Sequence, residues 1–154
     1  GMGPGPFTGL RVGIATARTY AQGRGIPVVP VPSHDGVALE LLLHAALTDT
    51  EAGRFAVVTD ARRKEFAYSV YDGLDDDGLP VREASAALAP RDELDARLAD
   101  LGAERRDATT VSAAMIALAA ARALDAGRTL ADSEPLYLRS PDVVAAHAPK
   151  RVST

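Results

Sequence analysis

No cysteine occurs among the 154 residues. That excludes disulfides, thiol nucleophiles and cysteine-based metal sites together, and it suits a reducing compartment, so a cytoplasmic location is expected. Aromatic residues are scarce at 5%, so the core must be built from closely packed Ala, Val and Leu. No apolar run reaches membrane-spanning length: the longest, Ala113 to Ala121, is under half a span and stops at Arg122. An excess of basic charge is also lacking. Seventeen Lys and Arg face 21 Asp and Glu, a net charge of −4, which argues against direct nucleic-acid binding by this chain alone. No basic region, apolar stretch and cleavage site follow in order, so no signal peptide is expected, and Gly1 before Met2 reads as a residue left by tag removal.

What is present is ordinary for a globular protein: 47% hydrophobic and 25% charged residues. Behind the opening GMGPGPFTG, Leu10, Ile14, Ala17 and Ala21 fall on one helical face with Gly13 and Tyr20 beside them. That helix should stop at Gly23–Gly25, where glycine can take a left-handed cap. Ile26 to Val31 reads as a short proline-marked strand. Ser33 should cap a second helix running toward Asp49. Phe55–Asp60 and Glu65–Tyr71 read as a β-hairpin with Phe66, Tyr68 and Val70 on one face, and Leu79–Ala84 as a third strand. Pro90 is expected to open a helix containing Leu94, Leu98 and Leu101. A last, Ala-rich helix, capped by Thr109 or Thr110 and closed by Gly127, should be buried nearly all round. The predicted order is α-β-α-β-β-β-α-α, an α/β layered fold.

Several constellations fail as catalytic sites. The glycine loop misses the dinucleotide spacing, lacks a following Gly-Lys-Ser/Thr, and loses two N–H donors to Pro4 and Pro6. Gly3, Gly5 and Gly9 therefore read as a structural turn anchored by Phe7. His34, His44 and His147 have no metal-ligand spacing, so no metal site and no cofactor are expected. Ser33 and His34 are only sequence neighbours, and adjacent helical residues point apart, so they form no nucleophile–base pair. No catalytic residue is assigned. Asp60, Arg62, Arg63, Lys64 and Glu65 cluster at the hairpin tip. They read either as a solvated charged turn or as a cationic edge for an anionic group, with Arg62 the candidate for contact with a nucleotide or an acidic surface.

Three stretches together resemble one family. GPGPFTGLRVGIATARTYAQGRGIPVVPV is similar to its G-P-G-S-F-T-G-L-R-x-G motif with the helix and strand that follow; DARRKEFAYSVY resembles its D-A-R-x-G-E-x-Y hairpin; EPLYLRSPDV resembles its closing E-P-x-Y-L-R segment. The family is TsaB, also called YeaZ, a glycoprotease-like (peptidase M22-like) component of tRNA threonylcarbamoyladenosine synthesis. The resemblance implies an actin, Hsp70 and sugar-kinase type fold (ribonuclease H-like), here mainly the C-terminal lobe with the last helix of the first lobe. On that pattern residues 3–32 are a remnant of the first lobe, 33–145 the C-terminal α/β lobe and 146–154 a flexible tail.

The resemblance further implies a non-enzymatic subunit that supports a TsaD-like paralogue, with a TsaE-like ATPase as a further partner. The alternative is an independent oligomerisation or binding module derived from a sugar-kinase-like lobe. Leu10, Gly13, Ile14, Ala17 and Tyr20 are the candidate partner interface, and a homodimer through this helix is expected for the isolated chain. The resemblance covers about the last two-thirds of the family pattern, and departs from it within that part as well. Pro6 replaces the family Ser, Lys64 stands where the hairpin carries Gly, and the segment between Leu101 and Thr109 looks too short for the family's strand. The family's first strand, its hairpin, an interface helix and a further strand, which precede the glycine motif in the pattern, have no counterpart in these residues.

Overall fold

A computed structural model describes residues 1–139; the tail expected at 146–154 lies outside the described residues. Two helices come first, α1 (Phe7–Arg24) and α2 (Ser33–Leu47). Strands β1 (Arg54–Asp60), β2 (Glu65–Leu74) and β3 (Pro80–Pro90) follow, then α3 (Leu94–Asp100), β4 (Glu104–Asp107) and α4 (Ala113–Asp125). The sheet order is β3-β2-β1-β4, with β1 antiparallel to β2 and parallel to β4.

The alternation of β1 and β2 divides the interior. Ala56, Val58 and Val70 point to one face, where Leu94 and Leu98 of α3 cover them and Phe66 and Tyr68 pack alongside. Phe55, Val57 and Tyr71 point to the other, against Val37, Ala38 and Leu42 of α2. The Phe55 and Tyr71 rings stack across the strands at 5.8 Å. Beyond α2 lies α4, whose Ala119 and Ala123 close on Leu39, Val31 and Leu79. Helix α2 is therefore buried on two sides, which is why its apolar residues do not collect in one stripe. Gly36 sets how closely the helices approach: a Cβ there would stand 2.7 Å from Ile116 Cδ1 and 3.1 Å from its Cγ1.

Five sequence expectations need correction. Ile26 to Val31 is extended but belongs to no strand; with Pro27 and Pro30 it cannot offer a full ladder, and it is held instead by a bond from the Met2 N–H to the Val31 carbonyl. Pro32, not Ser33, takes the position before α2; the Ser33 hydroxyl instead accepts the Gly3 N–H at 3.1 Å. Pro90 ends β3 and does not open α3, because its place opposite Glu65 on the outer side of the sheet needs no N–H donor. Glu104–Asp107, judged too short, forms β4 because a parallel edge beside Phe55–Val58 needs only four residues. Helix α4 is capped by Ser112, which accepts the Met115 N–H at 3.4 Å, and buries one side only, leaving Leu124 56% exposed.

The α2–α4 contact gives a graded test. Gly36→Ala should be nearly neutral, since the Ile116 methyl can swing aside while the helix gains propensity. Gly36→Val adds branches that must push the α4 backbone, and about 1–3 kcal/mol of stability should be lost in chemical denaturation. Equal losses in both variants would show that Ile116 cannot yield.

Candidate functional site

The three sequence motifs, far apart in the chain, meet around one cleft of about 520 Å³. Pro4 to Phe7 form one wall, Thr59 to Arg63 of the hairpin another, and Leu136 to Arg139 a third, with Ala67 and Leu88 between them. The walls are tied together by backbone bonds. Met2 donates to Val31, Ser33 to Gly3, and Leu136 to Met2, each at 2.7 Å. Gly3 is needed here: its φ is +100°, and a Cβ would meet the Leu136 carbonyl at 2.9 Å. Gly5 and Gly9 face open space. The amides of Met2 and Gly3 are committed inward and Pro4 and Pro6 have none, so the opening loop is a turn and not a phosphate cradle.

The hairpin tip holds Arg62, Arg63 and Lys64 at φ of +63°, +51° and +62°. Arg63 and Lys64 form the two central positions of a tight turn closed by the Glu65 N–H on the Arg62 carbonyl. Glycine or asparagine would take that conformation without steric cost; arginine and lysine do not. Asp60 braces the turn by accepting the Arg62 N–H at 2.7 Å and the Arg91 guanidinium at 2.9 Å, which lowers its pKa, the Arg62 bond being the larger cause. Arg139 pairs with Glu65 and so joins the closing segment to the hairpin. Arg62 lines the cleft with its side chain exposed.

Behind Thr59 lies a buried polar network in which Ser33 and His34 are neither a helix cap nor an isolated pair. Thr59, Ser69 and Tyr71 all face α2, whose first turn supplies His34 and Asp35. The His34 ring bonds Ser69 Oγ through Nδ1 at 2.8 Å and Thr59 Oγ1 through Nε2 at 2.9 Å. Burial, aided by the charge of Arg82, lowers the His34 pKa to about 4. Asp35 accepts the Tyr71 hydroxyl at 2.7 Å and Arg82 at 3.1 Å; burial raises its pKa despite both partners. The triplet Ser33-His34-Asp35 ahead of an apolar run was the available signal, and only the strand register reveals its partners.

This arrangement is not a nucleophile–base machine. Ser69, not a carboxylate, faces His34 Nδ1, and an imidazole held neutral so strongly is a weak base at neutral pH. Among the described residues no group of three His, Asp or Glu is placed to hold a metal ion. On the candidate interface, Ile14 is buried within the chain and Leu10 is half-buried, while Gly13, Ala17 and Tyr20 are exposed. No helix among the described residues is long and apolar enough to cross a membrane.

His34 is neutral when folded and free to protonate when unfolded, so between pH 6.5 and about 4 the unfolded chain binds the extra proton. Stability should fall as pH drops through that window, by roughly 3 kcal/mol from this group alone, and His34→Gln should flatten the fall. Asp35, with its raised pKa, has the opposite sign, its term growing as pH falls toward 3.8. Lys64→Gly should stabilise the hairpin by about 1 kcal/mol by removing a left-handed side chain, read as a higher melting temperature.

Comparison with known proteins agrees with this convergence of motifs. The family model described as TsaD, tRNA N6-adenosine threonylcarbamoyltransferase, matches residues 1–89. An uncharacterized protein of Mycobacterium tuberculosis is 42% identical over 91 residues, 58% of this chain and 38% of its own. The tRNA threonylcarbamoyladenosine biosynthesis protein TsaB of Escherichia coli is 30% identical over 104 residues, covering 68% of this chain and 42% of its own. TsaB of Haemophilus influenzae is 36% identical over 69 residues, 45% of this chain and 27% of its own. The chain thus spans about two fifths of the length of the mycobacterial and E. coli relatives. Among solved structures, YeaZ from Pseudomonas aeruginosa superimposes with a TM-score of 0.62 at 24% identity, over 90% of this chain and 72% of that one. A P. aeruginosa protein described as similar to peptidase YEAZ gives 0.64 at 24% identity, over 90% and 71%. The fold is the actin and sugar-kinase type, and the chain belongs to the TsaB/YeaZ family.

Proposed function

We propose that the chain is a non-catalytic partner subunit in tRNA threonylcarbamoyladenosine formation, supporting a TsaD-like paralogue, with a TsaE-like ATPase as a further component. The names of the E. coli and H. influenzae relatives support the pathway. The observation that carries the partner role is α1. This 18-residue helix buries only Ile14 and Ala21, and leaves Phe7, Val12 and Tyr20 exposed, the last two above 60%. It is fastened along one side by the closing segment: Arg11 bonds the Tyr137 hydroxyl at 2.8 Å and stacks on Phe7, and Arg18 bonds the Ser133 carbonyl. Among the described residues, the opposite side is left exposed.

Each large apolar side chain left in water forgoes about 1.5–3 kcal/mol, so a helix like this gains by pairing. On this reading residues 3–32 are a remnant of the first lobe and 33–145 the C-terminal lobe, and α1 is the contact element between subunits. Gly13, Ala17 and Tyr20, with Val12 beside them, make the contact; Leu10 and Ile14 support it from within. In isolation the same face pairs with its two-fold mate. The second reading, an independent oligomerisation module, draws on the same bare helix and differs in needing no paralogue.

Co-expression with the TsaD-like paralogue of the same genome tests the proposal. The wild type should co-purify with it, and Val12→Asp with Tyr20→Asp should abolish capture while leaving the melting temperature unchanged. Capture that survives both substitutions overturns the α1 assignment. A dimer by sedimentation that never captures the paralogue favours the second reading, and a monomer at micromolar concentration removes the homodimer.

A further inference from the structure

The cleft between the three motifs has two kinds of wall. Phe7, Tyr137, Leu136, Leu88 and Ala67 give it apolar surface. The Phe7 and Tyr137 rings lie with centroids 5.2 Å apart at a 40° tilt, and Arg11 stands 3.9 Å over the Phe7 ring. Even with these contacts Phe7 stays 44% and Tyr137 36% exposed, so aromatic surface is left for a further ring. A cavity of about 520 Å³ lined in this way has the size and polarity of a small-molecule site.

The charged wall holds Asp60 with Arg62, Arg63 and Arg139, and their commitments differ. Asp60, the one lining carboxylate among the described residues, already accepts the Arg91 guanidinium at 2.9 Å and the Arg62 N–H at 2.7 Å. Arg139 pairs with Glu65 and bonds the Arg62 carbonyl at 3.5 Å. Arg62 is engaged through its backbone alone: among the described residues its guanidinium has no hydrogen bond or ion pair. The turn holds that residue left-handed at a φ of +63°, the kind of strain that collects at ligand sites. A polyphosphate would lack its cradle here, since the Met2 and Gly3 amides turn inward and Pro4 and Pro6 have none. A carboxylate needs only one guanidinium fork. We propose that this cleft binds a flat aromatic carboxylate, its ring on the apolar wall and its anionic group on Arg62. The site needs no second subunit, so it goes beyond the partner role of α1 and stands or falls apart from it.

Titration of the full chain labelled with nitrogen-15 tests this. The probe is 2-naphthoate, and 2-naphthamide, with the same rings and no charge, is the control. Naphthoate should shift the amide signals of Ala61, Ala67 and Leu88, and it should bind about tenfold more tightly than naphthamide. Arg62→Gln should bring the two probes level at an unchanged melting temperature, because that guanidinium braces nothing, and Arg62→Lys should keep part of the preference. Phe7→Leu should weaken both probes alike. Equal binding of the two probes to the wild type, a preference that survives Arg62→Gln, or no naphthoate shifts up to about 10 mM each overturn the proposal. A sharp fall in the melting temperature of Arg62→Gln also overturns it, by making Arg62 a structural brace. So does ADP that displaces naphthoate at equal concentration, which would make the cleft a nucleotide site.

Discussion

A helix that enters a protein interior with serine, histidine and aspartate in its first turn must find a partner for every polar atom it brings, and α2 finds them on the sheet. Ser33 receives the Gly3 amide, His34 bridges Ser69 and Thr59, and Asp35 takes Tyr71 and Arg82. No buried side-chain nitrogen or oxygen among the described residues is left without a partner. Because α2 lies between the sheet and α4, this satisfaction is a condition for both packing layers. A single unpaired charge there would cost several kcal/mol, a large part of a domain's net stability.

The same constraint shapes the cleft. Ser33 anchors the opening turn, Thr59 bonds the His34 ring, and the closing segment is stitched to Met2 and Glu65. Three motifs that look independent in the chain are thus parts of one wall system. The hairpin tip is the strained member, with three consecutive left-handed residues held by Asp60, Arg91 and the turn's own backbone bonds.

Helix α1 stands apart from this economy. Arg11 and Arg18 hold it to the closing segment through rings and carbonyls, and no layer of the sheet covers it. Its bare side and the inward cleft are therefore separable features. One is a surface that a protein can cover, and the other is a chamber sized for a small molecule.

Much was legible in the residues alone. Helix α1, its glycine cap, α2, the β1–β2 hairpin and the inward set Phe66, Tyr68 and Val70 followed from periodicity and turn chemistry, which act over a few residues. The three motifs were enough to suggest the family. What sequence could not supply was partnership across distance. Glu104–Asp107 is charged and becomes a strand only because β1 offers a parallel edge. Pro90 ends a strand because β2 runs opposite it. His34 looked inert beside Ser33, yet the register that sets Val57 opposite Ser69 and Thr59 opposite Ala67 turns two hydroxyls onto its ring. Local preference is written in neighbours three or four residues apart. The cleft, the polar network behind it and the exposed side of α1 exist only once segments twenty-five to more than a hundred residues apart have met, because hydrogen-bond partnership and burial belong to the assembled structure.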